Sequence, residues 1–82
     1  MAVDTRNAVV PQTYTTLSFN QLTNTSEVNI EFWVSPTKPT DEKKGHILKP
    51  KDGISKDMFD DIAIFHFISR VMPAVVAITE TV

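Results

Sequence analysis

The chain has 82 residues, of which 41% are hydrophobic, and its eight basic and ten acidic residues give a net charge of −2. The hydrophobic fraction excludes a disordered chain, and the absence of cysteine excludes disulfide bonds and thiolate metal sites. The small net charge favours neither nucleic acid nor a membrane surface as a partner. We expect one domain, residues 1–82, with a thin core that oligomerisation would help to stabilise.

The first twelve residues alternate only weakly between apolar and polar side chains. Their apolar pair, Val9 and Val10, is followed by Pro11, which cannot donate a hydrogen bond to a β-ladder. We therefore interpret residues 1–12 as a frayed tail or as an arm that contacts a neighbouring chain.

Two segments separated by a polar break are predicted to form the first strands. Residues 13–22 are rich in threonine, and residues 27–35 alternate between apolar and polar side chains, which is typical of a half-buried antiparallel strand. The break, residues 23–26, has the length and polarity of a hairpin connection. The sequence therefore predicts that these two strands pair.

Residues 36–53 form a lysine-rich loop region, because prolines, charges and glycines are concentrated there. Within this region, His46–Leu48 is predicted as a short strand that ends before Pro50. Residues 54–60 are predicted to form one helical turn or an irregular connection.

The segment from Asp61 to Val71 decides between two fold classes. Sorted with a period of two, it has two mostly apolar faces rich in β-branched and aromatic side chains, which is typical of a central strand covered on both sides. The alternative is a helix over residues 56–72, for which Ser55 would be the N-cap. Pro73 then separates this segment from a last strand, residues 74–82.

The sequence thus predicts a mainly β fold, a small antiparallel sheet or sandwich of about four to five strands with at most one short helix near residues 54–61. The alternative is an α+β fold in which a β-hairpin is followed by a helix at residues 56–72. In the β fold, little chain is left to cover both faces of the central strand, so we expect another subunit to supply part of the cover.

No residue pattern in the sequence carries a known catalytic chemistry, and we predict that the protein is not an enzyme. The two histidines, His46 and His66, belong to no metal-binding or catalytic pattern, so we expect His66 to be a satisfied core or interface histidine and His46 to be exposed. The carboxylates of Asp57, Asp60 and Asp61 lack the spacing of a calcium loop. No cofactor and no metal are expected.

The N-terminus lacks a basic region followed by an apolar one, so it does not read as a signal peptide. The longest apolar region, residues 62–78, is interrupted by polar residues and by Pro73, which argues against a transmembrane helix. We expect a soluble intracellular protein, or a component of a virus particle, without a membrane partner.

Two sets of residues are candidates for binding. The lysines of the loop region could contact a polyanion such as nucleic acid, although acidic residues lie among them and a solvated loop is the simpler interpretation; the candidates are Lys43, Lys44, Lys49 and Lys51. Trp33 lies on the polar side of its strand and needs cover either from this chain or from a partner, and tryptophan is common in interfaces. The interface candidates are Trp33, Phe32, Val9 and Val10.

These observations favour a structural or assembly protein that self-associates into a homo-oligomer or joins a larger assembly. Small coat, cement or decoration subunits of virus particles have a similar size and composition, which is an analogy without a motif. The alternatives are a small protein-binding module or inhibitor, and a nucleic-acid binder that uses the lysine-rich loop.

Overall fold

The computed structural model describes residues 2–42, 44–59 and 64–81, and it is mainly β. The described residues form eight strands in two four-stranded antiparallel sheets. One turn of 3-10 helix, Lys56–Met58, follows the sixth strand, and the side chain of Ser55 caps it. The strands are β1 (Val3–Val10), β2 (Thr15–Thr16), β3 (Gln21–Asn24), β4 (Ile30–Val34), β5 (His46–Leu48), β6 (Gly53–Ser55), β7 (Phe65–Ile68) and β8 (Ala74–Thr81).

The first sheet has the strand order β1-β8-β3-β6, and the second has the order β2-β7-β4-β5. The chain changes sheet at every connection except the one between β4 and β5. Because of this alternation, almost all strand pairs join segments that are distant in the sequence. The predicted mainly β class is confirmed, with more and shorter strands than the sequence indicates.

The inner faces of the two sheets enclose one core. The first sheet contributes Leu22, Val76 and Ile78, and the second contributes Phe32 and Phe67. These side chains lie at alternate positions of their strands, as the period of two predicts. Burial of this apolar surface provides the main driving force for packing the two sheets together.

The predicted pairing of residues 13–22 with residues 27–35 is wrong. The first of these segments is split into β2 and β3, which lie in different sheets, and β4 pairs with β5 and β7 instead. The split occurs where the chain crosses between the sheets: the Leu17 N–H still donates to Phe65 of the second sheet, and the Asn20 N–H donates to Thr79 of the first. The polar segment at residues 23–26, although it has the length of a hairpin turn, therefore leads from the first sheet to the second.

The N-terminal segment is a strand of the sheet, which corrects the interpretation of residues 1–12 as a tail or arm. Val3–Val10 pairs along its whole length with β8. Val10 is fully buried and Ala8 is half-buried, so the inner side of β1 completes the core beside β8. The segment is held by packing as well as by ladder hydrogen bonds.

The segment from Asp61 to Val71 contains a β-strand in its described part, and the alternative of a helix over residues 56–72 is wrong. Residues 65–68 form β7, and all four side chains are buried, as expected of a strand covered on both sides. Asp60, Asp61, Ile62 and Ala63 lie outside the described residues. The strand ends before the turn at residues 69–73, where the Ser69 hydroxyl donates to the Met72 carbonyl oxygen.

Asn24 is a buried polar residue that ties the two sheets together. It ends β3 in the first sheet, and its Nδ2 donates to the carbonyl oxygens of Val28 and of Leu48, which belongs to β5 in the second sheet. Its Oδ1 accepts hydrogen bonds from the backbone and the hydroxyl of Ser26. The backbone of Asn24 also bonds to Lys51 and Asp52, so this fully buried amide satisfies several groups that burial would otherwise penalise.

We expect Asn24→Ala to lower the free energy of unfolding by about 2–4 kcal/mol, because the carbonyl oxygens of Val28 and Leu48 lose a buried donor. Urea unfolding followed by circular dichroism measures the change. Asn29→Ala is the matched control, since Asn29 is exposed and lies outside the strands. Equal stabilities of the two variants would contradict the role assigned to Asn24.

Candidate functional site

The middle of the outer face of the second sheet is covered by the chain itself, whereas Ile47 on the edge strand β5 is 51% exposed. Trp33 and His66 are directly opposite each other in β4 and β7 and point away from the core, yet they are only 7% and 6% exposed. The cover comes from residues 36–45, here called the cover loop, of which Lys43 lies outside the described residues. Pro39 in this loop is buried, and Gly45 packs on the indole ring of Trp33.

The close approach of Gly45 to the sheet requires a residue without a side chain. A Cβ atom at this position would lie 2.7 Å from the Phe32 carbonyl oxygen and 2.8 Å from Cε2 of Trp33. The edge of the Tyr14 ring meets the other part of the indole, with ring centroids 5.5 Å apart. Within the described part of the chain, the buried Nε1–H of Trp33 has no hydrogen-bond acceptor, so the contacts given for the ring are packing contacts.

Polar contacts fasten the cover loop at its rim. The Tyr14 hydroxyl donates to Asp41 Oδ1 over 2.5 Å, and Arg70 reaches Asp41 over 3.4 Å and Glu31 over 2.6 Å. The Lys38 ammonium lies 5.7 Å from the centre of the Tyr14 ring. The hydrogen bonds from Tyr14 and Arg70 hold the pKa of Asp41 below its usual range, and the bond to Asp41 raises the pKa of Tyr14.

His66 is buried with its hydrogen bond satisfied, as predicted, but it lies under the cover loop and outside the core between the sheets. Its Nε2 lies 3.0 Å from the carbonyl oxygen of Ser35, which only accepts, so Nε2 carries the proton of this bond. His46 is exposed, also as predicted, and stacks on Phe32 with ring centroids 5.1 Å apart. Among residues 2–42, 44–59 and 64–81, no group of His, Cys, Asp and Glu side chains is arranged to hold a metal ion.

The interface candidates are placed very differently from one another. Phe32 is 4% exposed and Val10 is fully buried, both in the core, and the cover loop settles the cover of Trp33 in favour of this chain. These three side chains are therefore out of reach of a partner in this conformation, which corrects their selection as contact residues. Val9, at 57% exposure, remains accessible.

The outer face of the first sheet is open and uncharged. Val9 of β1 lies opposite Val75 of β8, and both are exposed, as is Val3 at the other end of β1. Every strand residue on this face is exposed or half-buried and none carries a charge; they are Val3, Thr5, Asn7, Val9, Gln21, Thr23, Gly53, Ser55, Val75, Ala77, Thr79 and Thr81. This outer face of threonine, valine and small polar residues takes no part in the core.

The charges of the same strands point to the inner side instead. Arg6 donates to Asp4 over 2.8 Å, to Glu80 over 3.0 Å and to the Ser18 carbonyl oxygen over 3.0 Å. The hydroxyl of Ser18 and the guanidinium of Arg6 hold the pKa of Glu80 below its usual range. This cluster lies at the end of the core and keeps charge off the outer face.

The lysines of the loop region that the structure describes lie in two different parts of the molecule. Lys38 and Lys44 line a groove beside Trp33 and His46 on the second sheet. Lys49 and Lys51 belong to the turn that leads to β6, where the Lys51 N–H bonds to Asn24 and Lys51 has a positive φ of 70°. Lys43 lies outside the described residues, and polyanion contact by Lys44, Lys49 and Lys51 stays a prediction.

The chain matches no protein-family model, no curated protein and no solved structure. In the described part of the chain, no helix is both long enough and apolar enough to cross a membrane.

The open face of the first sheet and the edge strand β1 were missed by sequence reasoning. The signal for this face was that every second residue of β1, namely Val3, Thr5, Asn7 and Val9, is uncharged. Ala8 and Val10 are apolar as well, so the alternation is weak and the strand pattern is hard to recognise.

We expect Gly45→Ala to lower the free energy of unfolding by about 1–3 kcal/mol, because its Cβ would overlap the Phe32 carbonyl and Trp33. The emission of Trp33, which is the only tryptophan, should shift to the red as the loop moves away. Gly53→Ala is the control, since its nearest contacts would be 3.3 Å. A Gly45→Ala protein with native emission and stability would contradict the close packing of the loop.

We also expect acid to loosen the cover loop. Because the pKa of Asp41 is lower in the folded chain, its contacts stabilise the fold above the ordinary aspartate pKa of about 3.9 and are lost as the pH falls through the folded value. Acrylamide quenching of Trp33 should rise over that range. Asp41→Asn should raise quenching already at neutral pH, whereas Glu42→Gln should not; identical acid profiles for wild type and Asp41→Asn would argue against this contact.

Proposed function

We propose that the chain is a structural subunit that self-associates, and that the outer face of the first sheet is its contact surface. The observation that carries the proposal is the difference between the two sheets. The second sheet buries Trp33, His66 and Ile68 on its outer side and leaves only its edge strands exposed there, whereas the first sheet leaves an outer face that contains Val3, Val9 and Val75 and no charge. Val9 and Val75 form an exposed apolar pair on this face, and contact with another copy would remove their surface from water.

The chemistry of the face supports contact between copies. Desolvation of charged groups is costly unless they find partners, and a face without charges avoids this cost when two copies meet. Threonine and valine are β-branched and stiff, so little side-chain freedom is lost on contact. A coat, cement or decoration subunit of a virus particle would have these properties, and size and composition alone support that more specific role.

Association would also compensate for the small core. A chain of 82 residues buries only about 60–65% of its unfolded surface when it folds alone. Contact between outer faces would add apolar burial around Val9 and Val75, at about 25 cal/mol per Å² of apolar area. The stability of the fold would then depend on protein concentration.

We expect Val9→Lys to weaken association by about 2 kcal/mol or more, because the contact would have to desolvate an ammonium group. The solution mass as a function of concentration, measured by light scattering after size-exclusion chromatography, is the readout. Ile47→Lys is the matched control: Ile47 is 51% exposed but lies on β5 of the second sheet.

A wild-type chain that stays monomeric at all accessible concentrations would overturn the proposal and favour a binding module for a different protein. An assembly that Val9→Lys and Ile47→Lys weaken equally would place the contact elsewhere on the molecule.

A further inference from the structure

The edge strand β1 is long compared with the strands at the other sheet edges. It contains eight residues, whereas the strands at the other three sheet edges, β2, β5 and β6, contain two or three. Proteins commonly protect sheet edges with short strands, lysine, proline, bulges or inward-pointing charges, and of these β1 has only the inward-pointing charges, Asp4 and Arg6. β1 contains no lysine and no proline, and it pairs without a bulge along all of β8. An edge of this kind is a template for another strand.

The hydrogen bonds of β8 show which backbone groups of β1 have no strand partner among the described residues. The Thr79 carbonyl oxygen accepts from the Asn20 N–H, and the Val75 carbonyl oxygen accepts from the Thr25 hydroxyl, so both point toward the β3 side. Backbone groups alternate between the two neighbours of an antiparallel strand. The partners of Thr79 and Val75 in β1, which are Thr5 and Val9, therefore direct their N–H and C=O groups to the free edge.

Symmetry limits how two copies of this edge can pair. A two-fold axis perpendicular to the sheet makes the two β1 strands antiparallel and keeps the two cores on the same side of the joined sheet. Each residue of one copy must therefore pair with a residue of the other copy whose side chain points to the same face. A register centred on Asp4 places the two Asp4 carboxylates opposite each other, and one centred on Arg6 does the same with the two guanidinium groups. Both arrangements are unfavourable because like charges repel. A register centred on Asn7 places Asp4 and Arg6 opposite Val10 and Ala8.

A register centred on Thr5 places Asp4 of each copy opposite Arg6 of the other. This pairing is non-hydrogen-bonded, in which side chains approach most closely. Thr5 then opposes Thr5 and Val3 opposes Asn7, with the ladder bonds made by the groups that face the free edge. Among the registers that two-fold symmetry allows here, this one makes both charges complementary.

We propose that two copies of the chain pair through the edges of β1 in the register centred on Thr5, which joins their first sheets into one continuous sheet. This inference rests on the proposed self-association and names a second contact for it. The paired stretch is Val3–Asn7, so Val9 lies beyond it and its outer face remains available for the other contact. In the joined sheet, the uncharged outer faces of the two copies lie side by side on the same side of the dimer.

Charge reversal tests the register. Asp4→Arg alone and Arg6→Asp alone each place like charges opposite one another and should weaken two-chain association about tenfold or more. The double variant, Asp4→Arg with Arg6→Asp, restores opposite charges in the same register and should associate within about threefold of the parent. A mixture of the two single variants should also associate, because each supplies the charge that the other needs.

The series is made in the wild-type chain and in the Val9→Lys background, and native mass spectrometry measures the two-chain species. Urea unfolding followed by circular dichroism checks that each variant is folded, since Arg6 also pairs with Glu80 within the chain. Single variants that associate as tightly as their parent, or a double variant and a mixture that remain monomeric, overturn the β1 pairing. If Val9→Lys disrupts the wild-type assembly and the charge series has no effect, the proposed function stands and the edge pairing fails. If the wild type is monomeric, both fail.

Discussion

The second sheet has to be covered on both sides, and this requirement decides how the rest of the chain is used. β4 and β7 carry Phe32 and Phe67 toward the core and Trp33 and His66 away from it, and all four are buried. The first sheet covers one side and the cover loop covers the other. With this segment committed to the second sheet, the outer face of the first sheet is left exposed. The asymmetry between the sheets therefore follows from a short chain with one doubly apolar sheet.

We expect the cover loop to open more readily than the strands beneath it. Its ion pair, Asp41 with Arg70, is largely exposed, and exposed pairs contribute little to stability. Its remaining hold is the packing of Pro39 and Gly45, while the indole N–H of Trp33 finds no acceptor in the described part of the chain. Local opening should therefore cost less free energy than global unfolding, and it would expose the apolar side of the second sheet.

Local sequence patterns predicted the strands more successfully than their partners. The alternation around Phe32 and the extended conformation of residues 65–68 are both confirmed, because the period of two depends only on neighbours in sequence. The assignment of strands to sheets depends on contacts between distant segments. The break at residues 23–26 reads as a hairpin, but the buried Asn24 instead joins the first sheet to β5. Neither this role nor the cover of Trp33 by Gly45 has a local signal.

The outer face of the first sheet differs from an ordinary solvated face in where the charges are. A sheet face that meets water usually alternates charged and polar residues outward. The eight basic and ten acidic residues of this chain supply none to the strand positions of this face. In β1 and β8, Asp4, Arg6 and Glu80 lie on the inner side, where they pair with one another and with Ser18. Their side chains keep contact with water, so this placement costs an isolated subunit little. The same placement is favourable for a subunit whose outer face is dehydrated by another copy, because only uncharged groups then lose water.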